Sequence, residues 1–377
     1  MQIVETTSAL HAMVDHFRAA PHIYLDTEFE STRQGTQLCV VQLSAGTEVF
    51  VVDALRLPDL TVLSRTLGRE DCEWVFHAGA QDVPLLLDRL GLEAPPRLFD
   101  TQVAWAMSGP EYSVSLGYLL YRTLGLRTPK THQADDWKRR PLPQAQLQYA
   151  AADVEHLPQL RQRLALRARE LGREAAISDA TRELIWPTPE PTPRLELSSF
   201  RNAWQLDAHS QAGLRFLIDW FNELDDVQRR LAPEPKVLLS IARRMPESAA
   251  DLERIKGVPR QFARRHGDSI MGALRRASAE ASEESFVPID PPPYATFPEL
   301  RLDAWLGLVR VETCVRASVA PELAFPGRLL KRVRPSLLTQ HSPRALLEGL
   351  AGWRRDVLLE PLAAVCAQHP LEQFALG

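Results

Sequence analysis

The chain carries two acidic residues two positions apart, Asp26 and Glu28, at the end of an apolar run over residues 23–29. Side chains alternate between the two faces of an extended strand, so these carboxylates are predicted to project from the same face of a sheet. Adjacent carboxylates repel each other unless a cation lies between them. The spacing therefore indicates a divalent metal site built of oxygen ligands, with a solvated strand end as the alternative.

A third acid, Asp82, follows a short apolar segment at residues 74–77 and a turn of small residues at 78–80. Residues 81–90 are predicted to form a helix. Asp82 then lies in its first turn, where the helix dipole and the free N–H groups favour a carboxylate. An ordinary first-turn acid is the alternative interpretation.

A fourth acid, Asp153, lies four residues after Tyr149 in an alanine-rich segment with apolar residues at helical spacing. Residues four apart stack on one face of a helix, so the phenol and the carboxylate are predicted neighbours. A hydrogen-bonded surface pair would have the same spacing. The three acidic segments in this order are far more specific than any one of them alone.

In this order the segments resemble the DEDDy 3′-to-5′ exonucleases, and within them the ribonuclease D family. Further shared segments are Leu-Asp-Thr-Glu-Phe at 25–29, Phe-His-Ala-Gly at 76–79, Phe-Asp-Thr-Gln at 99–102 and Asp-Trp-Lys-Arg-Arg-Pro-Leu at 136–142. The resemblance extends along nearly the whole chain. It implies an α/β catalytic domain with a ribonuclease H-like mixed sheet and flanking helices, followed by two small all-α domains.

The resemblance also implies roles for the residues. Two divalent cations, Mg²⁺ or Mn²⁺ with Zn²⁺ as an alternative, are expected on Asp26, Glu28, Asp82 and Asp153, and Tyr149 is expected to position the attacking water. Two cations about 4 Å apart can generate the nucleophile and stabilise the leaving group. Because unperturbed tyrosine has a pKa of about 10, Tyr149 is interpreted as an orienting group and not as a base.

The predicted substrate-binding residues are basic or aromatic and lie in three places: the turn before Asp82, the loop before Tyr149, and a basic cluster over residues 254–265. They are His77, Lys130, Trp137, Lys138, Arg140, Arg264 and Arg265. Cations in these places can hold phosphates, and an aromatic ring can stack on a base. A packed Trp137 and a solvated basic face are the alternatives.

Proline-rich stretches at 185–193 and 283–293 divide the chain into three predicted domains. They are an exonuclease domain at 1–186, a helical nucleic-acid-binding domain resembling HRDC at 197–280, and a second, divergent HRDC-like domain at 295–377. The net charge is −4, but residues 1–186 hold 19 Lys+Arg and 24 Asp+Glu, whereas residues 200–280 hold 14 and 11. This segregation of charge is consistent with a basic surface for nucleic acid.

Within the first domain, helices are predicted near residues 58–68, 81–90, 101–107, 113–122 and 144–174. Strands are predicted at 23–29, 37–43, 48–52 and 74–76, and the second and third are expected to form an antiparallel hairpin with Gly46 in its turn. In the middle domain, Trp204, Trp220 and Phe221 are predicted to be core residues.

Several protein classes are not indicated by this sequence. No apolar run approaches the roughly 20 residues that cross a bilayer, and the first residues lack a basic segment followed by an apolar one, so no signal peptide is expected. The four cysteines are widely scattered, which is typical of reduced thiols in a cytoplasmic protein. Nothing in the sequence indicates a protein partner.

The sequence therefore predicts a metal-dependent 3′-to-5′ exoribonuclease. The resemblance implies that it trims the 3′ ends of structured RNAs such as tRNA precursors and releases nucleoside 5′-monophosphates. A DNA 3′-to-5′ exonuclease and a non-catalytic RNA-binding scaffold on the same fold are the alternatives. A chain ended near Arg182 is expected to keep the metal site.

Overall fold

The computed structural model describes residues 1–32, 35–57, 59–127, 136–187, 194–282, 286–291 and 294–374. The chain forms two compact units, one of Met1–Thr188 with Phe297–Gly377 and one of Pro189–Thr296. Among the helices built from the described residues, none is long and apolar enough to span a membrane.

A mixed sheet of six strands, counted over the described residues, forms the centre of the first unit. Its strands are β1 (Gln2–Val4), β2 (His22–Thr32), β3 (Gly35–Ser44), β4 (Val49–Asp53), β5 (Glu73–Phe76) and β6 (Arg97–Asp100), in the order β1-β4-β3-β2-β5-β6. β3 is antiparallel to β2 and β4, and the other pairings are parallel. The predicted mixed sheet and the β3–β4 hairpin are confirmed. The two short edge strands β1 and β6 were not predicted.

The helices of the α/β part are α1 (Thr7–Phe17), α2 (Ser64–Leu67), α3 (Asp82–Leu90), α4 (Thr101–Ala106), α5 (Leu116–Leu124), α6 (Gln144–Glu155), α7 (Leu157–Glu170) and α8 (Glu174–Ile185). The single helix predicted over 144–174 is wrong, because the chain breaks at His156 into α6 and α7. Pro158 lies in the first turn of α7, where its missing N–H is tolerated but an uninterrupted helix is not.

The alternation of side chains along β2 assigns its residues to two different layers. Ile23 and Leu25 belong to the core that β2 shares with α1 and α3, whereas Tyr24 belongs to the core on the opposite face. α6 contacts β2, β3 and β4, and its residues Leu147 and Ala150 pack on Val40 of β3. This packing lays α6 across the sheet close to the acidic end of β2.

The last helices are α14 (Phe297–Ala317), α15 (Pro321–Ala324), α16 (Gly327–Gln340), α17 (Arg344–Glu348) and α18 (Trp353–Gln368). They share one hydrophobic core with the α/β part, in which Trp305 and Leu362 belong to the same cluster as Leu160 and Ile177. The buried Arg173 joins the two parts, because its guanidinium donates to the backbone carbonyls of Met107, directly after α4, and of Ala317 in α14. It also donates to the carbonyl of Ser318 at 3.0 Å. A separate domain at 295–377 stays a prediction.

The second unit contains α9 (Ala208–Glu223), α10 (Asp226–Leu231), α11 (Pro235–Arg244), α12 (Ala249–Glu253) and α13 (Arg260–Ala279) around its own core. Phe221 is buried in that core and Trp220 packs against it, as predicted. The core prediction for Trp204 is wrong, since this side chain is 43% exposed. The neighbouring Ala203 fills the buried position in the same short 3-10 turn.

Candidate active site

Three of the predicted ligands come together across β2 and α6. Asp26, Glu28 and Asp153 each offer a carboxylate oxygen, and these oxygens lie within 4.8 Å of one another. Asp26 and Glu28 project from one face of β2, and α6 crosses that face. Among the described residues, no lysine or arginine forms an ion pair with any of the three.

A β-bulge follows directly after Glu28. The register shifts between Glu28, which opposes Val40, and Phe29, which opposes Leu38, so that Cys39 is the extra residue on β3. A bulge bends its strand and re-aims the neighbouring side chains, and bulges are frequent beside active sites. The acidic pair therefore lies where the regular pairing of β2 with β3 is interrupted.

Asp82 is the first residue of α3 and approaches the same site from the other layer of the sheet. Its carboxylate accepts a short hydrogen bond from the hydroxyl of Thr27, the buried residue between Asp26 and Glu28. Its charge is one of the causes that raise the pKa values of Asp26 and Glu28. Asp82 is therefore an electrostatic neighbour of the three clustered acids.

A tight turn before α3 fixes where that helix begins. Asp100 caps α4 by accepting from the backbone N–H of Gln102 at 2.8 Å, and the same oxygen accepts from the N–H of Ala78 at 3.0 Å. A Cβ at Gly79 would lie 2.3 Å from the ring of Phe76, so only glycine fits there. The two shared segments at 76–79 and 99–102 thus hold each other in place.

Tyr149 lies one turn before Asp153 on α6. Burial raises the pKa of Asp153, and a hydrogen bond between the two side chains offsets part of that rise. The Tyr149 ring packs 6.2 Å from that of Trp137, measured between ring centroids. Two contacts therefore hold Tyr149 in place: its ring packs beside that of Trp137, and its side chain is hydrogen-bonded to Asp153.

The carboxyl groups of the site have raised pKa values. Burial, and then the charges of Asp82, Asp153 and Glu28, raise the pKa of Asp26 well above its ordinary value. Burial and the neighbouring acids raise the pKa of Glu28 to about 8, and burial raises that of Asp153 to about 7. Oxygen donors that are crowded together without a described cation fit a hard divalent metal ion, which would supply the missing positive charge.

Known proteins match both units of the chain. A family model of 3′-5′ exonucleases matches residues 1–168, and a model of the HRDC domain matches residues 225–274. The ribonuclease D of Gluconacetobacter diazotrophicus is 32% identical over 367 residues, which cover 94% of this chain and 90% of that relative. This chain belongs to the ribonuclease D family. It is therefore a 3′-to-5′ exoribonuclease, a hydrolase of phosphodiester bonds.

The ribonuclease D of Escherichia coli is 27% identical over 98% of this chain. Its crystal structure, which is described as that of an exoribonuclease involved in structured RNA processing, matches with a TM-score of 0.68 and covers 98% of this chain and 99% of that one. The α/β fold with helical C-terminal parts is confirmed, and the exonuclease fold implies dependence on a divalent metal.

Both ring nitrogens of His77 have a partner within hydrogen-bonding distance. Nδ1 lies 2.9 Å from the hydroxyl of Thr101, and Nε2 lies 2.9 Å from the carbonyl oxygen of Val114. Burial lowers the pKa of His77 to about 4, so the ring is neutral at pH 7. These bonds give His77 a structural role in the turn before α3, and its contact with RNA stays a prediction.

The loop before α6 is anchored to the sheet. Arg140 donates to both carboxylate oxygens of Asp53, at 2.5 and 2.7 Å, and to the carbonyl of the bulge residue Cys39 at 3.0 Å. Trp137 is 3% exposed and packs in the core beneath α6, in agreement with the packing interpretation. The side chain of Lys138 is exposed. RNA contacts by these three residues stay predictions.

The remaining predicted substrate residues lie elsewhere. Arg264 and Arg265 are exposed on α13 of the second compact unit, Pro189–Thr296, which is called the HRDC unit because it contains the matched residues 225–274. The Nε of Arg264 lies 3.2 Å from a carboxylate oxygen of Glu253. Their contact with RNA stays a prediction. Lys130 lies outside the residues that the structure describes.

Two residues at the site, Thr27 and Gln42, were not predicted from the sequence. Thr27 stands in the Asp-Thr-Glu segment itself, but its bond to Asp82 depends on the approach of α3 from the opposite layer. Gln42 lies directly opposite Asp26 on β3. Only the strand register reveals that position, and one sequence does not give a register across a bulge.

Proposed function

We propose that this exoribonuclease trims the 3′ ends of structured RNAs, tRNA precursors among them, and releases nucleoside 5′-monophosphates. The observation that carries the proposal is the cluster of Asp26, Glu28 and Asp153, whose oxygens lie within 4.8 Å of one another. A scaffold without catalytic activity has no need for three crowded acids that lack a described counter-charge. The E. coli relative, an exoribonuclease of structured RNA processing, supports the choice of substrate.

Four carboxylates would hold two divalent cations, Mg²⁺ or Mn²⁺, in this proposal. Asp26, Glu28 and Asp153 contribute the clustered oxygens, and Asp82 is their electrostatic neighbour. When bound, the cations supply a nucleophilic water at neutral pH and stabilise charge on the phosphate and on the leaving 3′-oxygen. Oxygen ligands of this kind favour Mg²⁺ and Mn²⁺ over metals that prefer sulfur or nitrogen.

Tyr149 contributes orientation in this proposal. Its side chain is hydrogen-bonded to Asp153 and packed beside Trp137, so the hydroxyl stays at the edge of the acid cluster. A phenol with an ordinary pKa of about 10 retains its proton near neutrality. The hydroxyl therefore holds the attacking water in line with the scissile phosphate and does not remove its proton.

Exposed cations of the chain would grip the RNA strand. Lys138 projects from the loop beside the site, while Arg264 and Arg265 lie on the HRDC unit. Phosphate contacts of this kind position a strand without reading its sequence. The four cysteines are free and buried, in keeping with a reducing, cytoplasmic environment.

Digestion of end-labelled RNA tests the proposal directly. With Mg²⁺ or Mn²⁺, RNA labelled at its 3′ end should release labelled mononucleotide at once, whereas RNA labelled at its 5′ end should shorten as a ladder. EDTA should stop both reactions, and a DNA oligonucleotide of matched sequence should be degraded more slowly. Equal rates on DNA would favour the DNA exonuclease, and activity that persists in EDTA would contradict the metal site.

A further inference from the structure

Gln42 occupies the middle of the sheet beside the acid cluster. On β3 it lies directly opposite Asp26 of β2 and opposite Val51 of β4. Residues directly opposed in an antiparallel pair project from the same face, with their Cβ atoms about 4.5–5.5 Å apart. The side chain of Gln42 therefore lies on the face that presents Asp26.

The amide of Gln42 is buried without a partner. Its side chain is 0% exposed, and neither Nε2 nor Oε1 has a hydrogen-bond partner among the described residues. Leaving a buried polar group unpaired destabilises the folded state. The neighbouring positions on this face, Val40 and Val51, hold apolar side chains. Packing alone would favour another apolar residue at this position, so the amide calls for a partner that these protein atoms do not supply.

We propose that Gln42 is a positioning residue of the metal site, whose Nε2 donates a hydrogen bond to the Asp26 carboxylate when that carboxylate holds a divalent cation. The inference rests on the proposed function. Carboxylates that bind metals are usually held by hydrogen bonds from outer residues, and a charged acceptor strengthens such a bond. The bond would fix which oxygen of Asp26 faces the metal, and it would satisfy a donor that otherwise has no partner.

The test compares metal binding by the full-length wild type and by Gln42→Met, which keeps the length of the side chain and removes the amide. Calorimetric titration with Mn²⁺ should show affinity about 10-fold lower in Gln42→Met, at the lower end of the effects seen when outer residues are removed. The unfolding temperature without metal should not fall, because an unsatisfied buried amide is lost. The increase in unfolding temperature produced by Mn²⁺ should shrink.

Gln146→Met provides a matched control. Gln146 is also buried, and its Oε1 also lacks a hydrogen-bond partner among the described residues, but its Nε2 donates to the carbonyl of Asp136 at 3.4 Å. This variant should leave Mn²⁺ affinity unchanged. If Gln42→Met does not fold, Gln42→Asn keeps an amide but shortens its reach by one methylene, and the same loss of Mn²⁺ affinity is expected.

The outcomes separate this inference from the proposal on which it rests. If wild type binds Mn²⁺ with the same affinity as the folded Gln42 variant, Gln42 does not position Asp26. A lower unfolding temperature without metal, together with unchanged Mn²⁺ affinity, would make Gln42 a purely structural residue. If the wild type binds no Mn²⁺ and Asp26→Asn behaves in the same way, the metal site itself is overturned.

Discussion

Two partly buried acidic sites in the same compact unit, the single carboxylate of Glu183 and the acids around Asp26, differ in how their charge is compensated. Glu183 on α8 accepts from the guanidinium groups of Arg354 and Arg328 and, at 3.1 Å, from the indole N–H of Trp353. Burial alone would raise the pKa of Glu183, but these partners hold it below the ordinary value. The acids around Asp26 have no such cation among the described residues, and their pKa values rise.

This difference in charge compensation distinguishes an acidic residue with a structural role from a group of acids that binds a ligand. Glu183 joins α8 to the last helices of the chain, and every contact that it needs comes from the protein itself. The acid cluster at β2 and α6 is stable with ionised carboxylates only if positive charge arrives from outside. Substitutions in the two groups should therefore affect different measured quantities: activity for one, stability for the other.

The largest expected effect is on activity at the uncompensated acids. Asp26→Asn and Asp153→Asn should each reduce the rate of RNA degradation by at least about 100-fold, since each removes a charged ligand from the centre that stabilises the transition state. The unfolding temperature of the metal-free protein should stay the same or increase, because crowded like charges are removed. A variant with near-normal turnover at limiting Mg²⁺ would exclude its residue from the site.

A smaller effect is expected at the group that orients the water. Tyr149→Phe keeps the ring packed beside Trp137 and removes only the hydroxyl. Turnover should fall by roughly 10- to 1000-fold, with little change in KM or in Mn²⁺ affinity. Steady-state kinetics on a short single-stranded RNA measure both constants. Normal turnover with a raised KM would mean that the hydroxyl binds substrate instead.

At the compensated cluster the expected effect is on stability. Glu183→Ala leaves the buried guanidinium of Arg354 without its counter-charge, which should reduce the free energy of unfolding by about 2–4 kcal/mol. Turnover per folded molecule should stay near that of wild type. In the exposed pair with Arg264, the control Glu253→Ala should cost at most about 1 kcal/mol. Chemical denaturation that finds equal losses would remove the distinction between the two pairs.

The smallest expected effect concerns the cations of the two helical regions. Arg264→Ala combined with Arg265→Ala should weaken binding of a folded RNA a few-fold and make it less dependent on salt, because fewer counterions are released. Turnover of short RNA should not change. The matched control is Lys331→Ala with Arg355→Ala, which removes two exposed cations from α16 and α18. If the control weakens RNA binding equally, the HRDC unit is not the preferred RNA-binding surface.

The acid cluster was within reach of sequence reasoning because its signals are local. A period of two on a strand, a first-turn position and a spacing of four on a helix each depend on a few neighbouring residues. The β-bulge after Glu28 and the partner of Gln42 depend on strand register, which is a pairing between distant segments. The short strands β1 and β6 have three and four residues, too few to give a periodic signal.

The packing of the last helices, α14 to α18, also depends on contacts between distant segments that local sequence signals do not predict. Their sequence resembles a second helical module, but α18 packs on α8, and Arg354 reaches Glu183 across 171 positions of the chain. A chain ended near Arg182 would expose the apolar surface around Leu160 and Ile177. The expectation that such a chain keeps a working metal site is therefore replaced by the expectation that it aggregates.

The pH dependence of Mn²⁺ binding tests most directly whether the acid cluster is built for metal. Glu28 and Asp153 have pKa values of about 8 and about 7 in the folded chain, against ordinary values of 4.5 and 3.8. Without metal the folded state therefore holds protons that the unfolded state has released, and the free energy of unfolding should fall as the pH rises from about 4 to about 8.

Mn²⁺ binds the ionised carboxylates, so binding must displace these protons. Calorimetric titrations in two buffers of different ionisation enthalpy, repeated from pH 6 to pH 8, measure both the affinity and the protons released. The affinity should increase with pH across this range, with proton release at pH 6 that declines toward pH 8. If the affinity is constant across the range and no protons are released, Glu28 and Asp153, whose pKa values are raised, do not form part of a metal site.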